Sequence, residues 1–253
     1  MLISWGSRAC SLSEVNNLRT DCPAHPLTSS WLGSDTTGGT IASTFFYLLH
    51  NPEALDKLNE EVRRQFTHLE DIRGGKALNS CRWLRACIDE AMRMSPMMPG
   101  ILPREALAPG ITIEGHRIPE GTDVAVCHYA MHHNEKYYPD SFSYKPERWL
   151  VEPMSGESVD DAERRVARAQ SALCPFSIGP RGCVGKGMAI RSILVTLAQV
   201  VWAYDIRLAP GEEDRGTGGP GKGFGRHRSQ EQQMTDMFVS KIDGPVVQCR
   251  KRI

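Results

Sequence analysis

The sequence predicts a mainly α fold with small β-sheets. Apolar residues recur at helical spacing over four stretches, about 30–50, 52–66, 80–94 and 187–204. The strand-like pieces are short, and turn dipeptides such as Glu114-Gly115 and Glu120-Gly121 separate them. Loops rich in glycine, proline and charge fill most of the remainder.

Residues 1–29 are polar and irregular, punctuated by Pro23 and Pro26, and are expected to form a lead-in. The first helix carries Ile41, Phe45, Leu48 and Leu49 on its apolar face. Asn51-Pro52 ends it and opens the second, with Asn51 as cap and Pro52 at the first helical position. Asn79 or Ser80 caps the third, which stops before Ser95-Pro96. Strands are expected at 101–102, 111–113, 117–118 and 123–127, and a short helix at 160–170. The apolar stretch after Gly187 is broken by Thr196 and Gln199, so it reads as a core helix rather than a membrane span. Residues 210–228 form a surface loop, and 237–252 a terminal hairpin turning at Asp243-Gly244.

A chain of 253 residues can bury a sizeable core. Lys+Arg 30 against Asp+Glu 30 leaves no net charge, which argues against nucleic acid as a partner. No secretory signal is read at the N-terminus. The 8 cysteines include no CxxC pair, so a zinc knuckle or a disulfide framework is not expected. His128 and His132 stand four apart, a metal-ligand spacing on a helix, but they lie beside strand-like sequence and read as structural histidines.

Three segments carry chemistry. In CRWLRACIDEAMRM, residues 81–94, Trp83, Leu84, Cys87, Ala91 and Met94 share one stripe, with Glu90 at its edge and Arg93 beside it. The pattern alone favours an exposed ion pair of little worth; a core-facing carboxylate would need a partner. In GSDTTGGT, residues 33–40, glycines and threonines weaken a helix turn next to Asp35. That suits either a ligand approaching the backbone or a loop ahead of a helix that starts near Thr40. In FSIGPRGCVG, residues 176–185, one cysteine stands among glycines ahead of the apolar helix. Glycines allow close approach of something flat, and backbone N–H groups in such a turn suit a thiolate offered to a metal. An inert cysteine is the plainer alternative, weakened by the fixed offsets of Phe, Gly, Arg, Cys and Gly.

Those offsets match a known family. Phe176, Gly179, Arg181, Cys183 and Gly185 fit the FxxGxRxCxG signature of the cytochrome P-450 superfamily, the haem-thiolate monooxygenases. Glu90-Ala91-Met92-Arg93 resembles its ExxR, Pro146-Glu147-Arg148-Trp149 its PERF-like element, and Gly33-Ser34-Asp35-Thr36-Thr37 its oxygen-activation segment. The resemblance runs from about residue 30 to the C-terminus and looks most like fungal members, many of which act in secondary metabolism. It implies the C-terminal half of the cytochrome P-450 fold, with residues 30–253 a partial domain. It also implies haem b (iron protoporphyrin IX), with Cys183 as axial ligand.

The same resemblance implies further roles. Arg181 and Arg104 hold the haem propionates, Phe176 packs beside the thiolate, and Gly179 lets the loop pass close to the porphyrin. Thr36 steadies dioxygen, and Asp35 helps relay protons. Glu90, Arg93 and Arg148 form a buried structural triad, which restores the core-facing reading of Glu90. Expected partners are O2, an apolar small-molecule substrate and an NADPH-dependent reductase. Family chains are typically much longer, with an anchor in the endoplasmic reticulum membrane that is not seen here. Leu32 also stands where the family usually has a small residue. Beside the monooxygenase, the sequence therefore leaves open a truncated or mis-spliced remnant without catalysis.

Overall fold

The computed structural model describes residues 9–10 and 30–252. Most of the expected lead-in lies outside the described residues. Its one described piece is strand β1, Ala9–Cys10, which pairs antiparallel with β9, Val247–Lys251.

Helix α1, Ser30–Leu49, spans the expected stretch and runs unbroken through GSDTTGGT, so the alternative of a loop ahead of Thr40 is not what forms. Its later turns are buried at Phe45, Phe46, Tyr47 and Leu48, whereas Ser34 and Asp35 are exposed. Helix α2, Pro52–Gln65, starts at the predicted proline. Asn51 occupies the cap position, but its side chain does not cap α2: its Nδ2 donates to the Tyr47 carbonyl, closing the end of α1 (2.7 Å). After the short helix α3, Lys76–Asn79, helix α4 spans Arg82–Met94. Cys81, not Asn79 or Ser80, stands at its cap. The side chain that satisfies its first turn comes from α2: the N–H groups of Trp83 and Leu84 donate to the Glu61 carboxylate (2.9 and 2.8 Å).

Helices α1, α2 and α4 pack with α7, Lys186–Ala203, around one core that includes Phe45, Leu58, Leu84, Ile88, Leu197 and Val201. Each large aliphatic side chain withdrawn there contributes roughly 2 kcal/mol. By length and composition α7 could cross a membrane, yet Ile193, Leu194, Leu197 and Ala198 are buried in this core, as the sequence reading of a core helix requires. A second cluster joins Ala86 of α4 to Tyr138, Trp149 and the inner face of α6, Val159–Ala172. The Ser158 Oγ accepts from the Asp161 N–H at the start of α6 (3.1 Å).

The sheets are small. Strand β2, Arg104–Glu105, pairs with β5, Asp123–Val124, and β3, Ile111–Ile113, with β4, His116–Ile118. Glu114 and Gly115 both have positive φ (49° and 81°) at the turn where the sequence predicts one. Residues 101 and 127 contribute only a single bridge. His128 and His132 lie on a short helix, α5, His128–His132, which starts directly after the Cys127 bridge.

The expected terminal hairpin does not form. Strand β8, Val239–Ile242, pairs back on β7, Met234–Met237, through a tight turn at Phe238 (φ 73°). Strand β9 instead pairs with β6, Tyr204–Leu208. Pro245 follows Asp243-Gly244 and has no N–H to extend a ladder across that turn, so the two halves of the segment join different sheets.

Candidate functional site

The apolar stripe of α4 buries Trp83, Leu84, Cys87, Ala91 and Met94, and it carries Glu90 inward with them. Glu90 and Arg93 are both fully buried, so the exposed pair that the helical pattern favours is not what forms. Arg93 grips the carboxylate with two bonds, Nε to Oε2 and Nη2 to Oε1 (both 2.9 Å). Arg148 Nε donates to Oε1 (3.0 Å), the Lys145 N–H to Oε1 (2.9 Å) and Trp149 Nε1 to Oε2 (2.9 Å). Burial alone would push the Glu90 carboxyl up. The Arg93 guanidinium, Arg148 and the Lys145 N–H outweigh it and hold the group below the usual carboxylate range. Arg93 Nη1 also reaches the carbonyls of His132 and Ser141 (2.8 and 2.7 Å). The structure thus brings Glu90, Arg93 and Arg148 onto one carboxylate.

The cysteine loop is the opposite kind of place. Residues 179–181 form a single 3-10 turn, followed by Cys183 and then α7. The loop closes on itself: the Cys183 N–H donates to the Phe176 carbonyl (2.8 Å) and the Gly182 N–H to that of Gly179 (3.0 Å). Ser177 and Gly179 take positive φ (56° and 71°), which makes the reversal possible. A Cβ on Gly179 would meet nothing, so the glycine serves conformation and leaves an open face. A Cβ on Gly185 would lie 3.8 Å from Cys183 Sγ, an ordinary contact, so space beside the thiol does not require this glycine. Cys183 is exposed, as are Ile178, Val184 and Met188 around it. Phe176 is half-buried against the main core.

Asp35 and Thr36 stand on the exposed end of α1. Thr40 Oγ bonds back to the Thr36 carbonyl and Thr44 Oγ to that of Thr40 (both 2.8 Å), the type of back-bonding the threonine-rich turn suggests, within that segment and one turn beyond it. The two glycines divide in role. Gly39 makes room for the Met97 thioether, an ordinary packing reason, whereas Gly38 has nothing near it. Gly38 and Asp35 line a cavity of about 870 Å³ between α1 and β8. No residue of the cysteine loop lines that cavity, so among the described residues Asp35 and Cys183 do not share it. Arg104 is exposed on β2, its Nη1 donating to the Leu102 and Pro103 carbonyls, and Arg181 is exposed in the loop. Neither pairs with a carboxylate among the described residues.

The structure adds residues the sequence did not single out. Trp149 and the Lys145 N–H complete the shell around Glu90, and Glu61 fixes the start of the helix that carries it. The acidic residue on α2 gave no signal, because its partners lie on another helix. His132 is buried with Nε2 accepting the Cys174 N–H (3.0 Å), and His128 Nδ1 lies 3.1 Å from the Met98 carbonyl. His132 Nε2 and His128 Nδ1 thus face protein partners, whereas the buried His132 Nδ1 has none among the described residues.

Comparison with known proteins places these features. The cytochrome P450 family matches residues 27–232. The cytochrome P450 monooxygenase AKT7 of Alternaria alternata is 43% identical over 221 residues, 87% of this chain and 42% of that protein. A cytochrome P450 monooxygenase of Gibberella zeae is 40% identical over 225 residues, 87% of this chain and 48% of its own length. The chain therefore spans less than half the length of these curated relatives. A crystal structure of a cytochrome P450 (CYP102L1) has the same fold, with a TM-score of 0.68 at 22% identity over 89% of this chain and 44% of that one.

Proposed function

Because the chain belongs to the cytochrome P450 family, we propose that it supplies the thiolate-bearing part of a haem-dependent monooxygenase. The reaction inserts one oxygen atom from O2 into an apolar small molecule in secondary metabolism, with electrons from an NADPH-dependent reductase. The two fungal relatives named above, both monooxygenases by name, support the monooxygenase part of this assignment. Haem b, when bound, supplies dioxygen activation at an iron whose potential and electron density the axial ligand tunes.

The observation that carries the reading is Cys183. It is an exposed thiol on a loop folded by its own hydrogen bonds, with Ile178, Val184 and Met188 exposed beside it in sequence. Bare apolar side chains around a polarisable ligand suit a flat, apolar macrocycle. Phe176 packs the loop against the core, Gly179 leaves its face open, and Arg181 and Arg104 offer guanidinium groups that pair with no carboxylate among the described residues, suited to propionates. In this reading Thr36 would steady dioxygen, and Asp35, which lines the adjoining cavity, would help relay protons to it. The Glu90–Arg93–Arg148 cluster touches no substrate and holds the fold that aims the loop.

The test is the difference spectrum of the reduced, carbon-monoxide-bound chain after haem addition, taken for the parent and for each cysteine-to-serine variant. A thiolate-type signature lost in Cys183→Ser and kept in the others is the expected result. A signature that survives Cys183→Ser, or a chain that takes up no haem, overturns the reading.

A further inference from the structure

Residues 174–185 rest on the core through Phe176, but few of their hydrogen bonds leave the segment. Their hydrogen bonds close the loop internally or run into α7. Among the described residues, the bond from the Cys174 N–H to His132 Nε2 (3.0 Å) is the one that ties this segment to an element outside itself and α7. The Cys174 Sγ also lies 3.6 Å from the same nitrogen. On the other side of His132, its backbone carbonyl is held by Arg93 Nη1 (2.8 Å), the arginine that clamps Glu90. His132 itself is fully buried.

We propose that His132 is a positioning residue for the cysteine loop: its Nε2 lone pair fixes the Cys174 amide and carries the position of the buried Glu90–Arg93 cluster to the segment that presents Cys183. The route is continuous. Glu90 binds Arg93, Arg93 binds the His132 carbonyl, and His132 binds Cys174, whose own carbonyl accepts the Ser177 N–H (2.9 Å). Phe176, between those last two, accepts from Cys183. For Nε2 to accept, the ring must be neutral with its proton on Nδ1. Burial, then the nearby His128 and Arg93, push its pKa down to about 3, which keeps that lone pair available at neutral pH. Only the functional meaning of this tether rests on the reading of Cys183 as metal ligand; the tether itself does not.

The experiment compares the parent chain with His132→Leu, which removes the acceptor, and His132→Gln, whose Oε1 reaches about as far as Nε2. The first readout is amide hydrogen exchange, without haem. Exchange at Cys174 and through 174–185 should quicken about tenfold in His132→Leu, with the protection of α4 kept, and return to parent rates in His132→Gln. Parent-like exchange over 174–185 in His132→Leu overturns the proposal. If His132→Leu does not fold, His132→Gln decides: parent rates at Cys174 support the tether and faster ones refute it. The second readout is the carbon-monoxide difference spectrum, in which His132→Leu should lose thiolate character and His132→Gln recover it. A parent chain with no thiolate signature counts against the haem assignment of Cys183, while the exchange data still judge the tether.

Discussion

The carboxylate of Glu90 and the thiol of Cys183 belong to one proposed machine, yet their surroundings are opposites. Glu90 is fully buried, and both its oxygens accept several donors. Cys183 is exposed, and apart from one tether and the packing of Phe176 on the core its loop is held by hydrogen bonds within 174–185 or to the first turn of α7. A buried ion cluster is over-determined: every member fixes the others, and removing one strands charges in a low dielectric. The cysteine loop has its backbone set and its face left open, as a ligand-presenting element requires. Rigidity is concentrated in the first region and delivered to the second.

The contrast breaks most visibly at Glu90. Glu90→Ala should destabilise the chain by roughly 3–5 kcal/mol, because Arg93 and Arg148 are then buried without their counter-charge. Urea unfolding measures it. A loss below about 1 kcal/mol would show that the cluster is not the anchor described here.

Acid should act on the same buried side. His132 and His133 are pushed down to about 3 and about 4, first by burial, against an ordinary 6.5. Below pH 6.5 the unfolded chain takes up protons that the folded chain refuses. Stability is therefore fully present above that pH and falls as pH drops toward 4, by about 1.4 kcal/mol per unit for each histidine. Asp89, pushed up by burial, titrates in the opposite sense. The informative measurement is thus the difference between the parent and His133→Gln: unfolding free energies from pH 7 to 5 should fall less steeply in the variant, by one proton. Equal slopes would remove His133 from the account.

On the open side the effects shrink. Gly179→Ala should cost about 1 kcal/mol, from its positive φ alone, since a Cβ meets no atom there. Thermal unfolding checks it, and a much larger loss would mean the loop is packed rather than open. Cys183→Ser should change stability by less than about 0.5 kcal/mol while abolishing the thiolate signature. A large loss of stability would make the thiol a structural residue.

Legibility in the sequence divides along the same line. The cysteine loop could be read directly, because local glycines and fixed offsets determine it. The stripe of α4 was also legible, since 3.6-residue periodicity is a local property. The depth of Glu90 was not: periodicity leaves it at the edge, and only Arg148 and Trp149, 58 and 59 residues away, close over it. The last strands failed for a related reason. Asp243-Gly244 is a fair hairpin signal, but where Val247–Lys251 pairs is decided by the free edge of Tyr204–Leu208, which no local pattern announces.

The Glu61 cap has a mechanical consequence. Helix α4 is a rigid rod whose start is pinned to α2 and whose other end carries the charges. From Trp83 to Glu90 the rod advances about 10 Å. A tilt of a tenth of a radian at the pinned end would swing the carboxylate by about 1 Å, enough to turn hydrogen bonds of 2.9 Å into contacts too long to count. Two amide bonds to one surface-ward glutamate therefore set the aim of a lever. An error at Glu61 would be felt first in the alignment of Arg93, and only through it in the loop beyond.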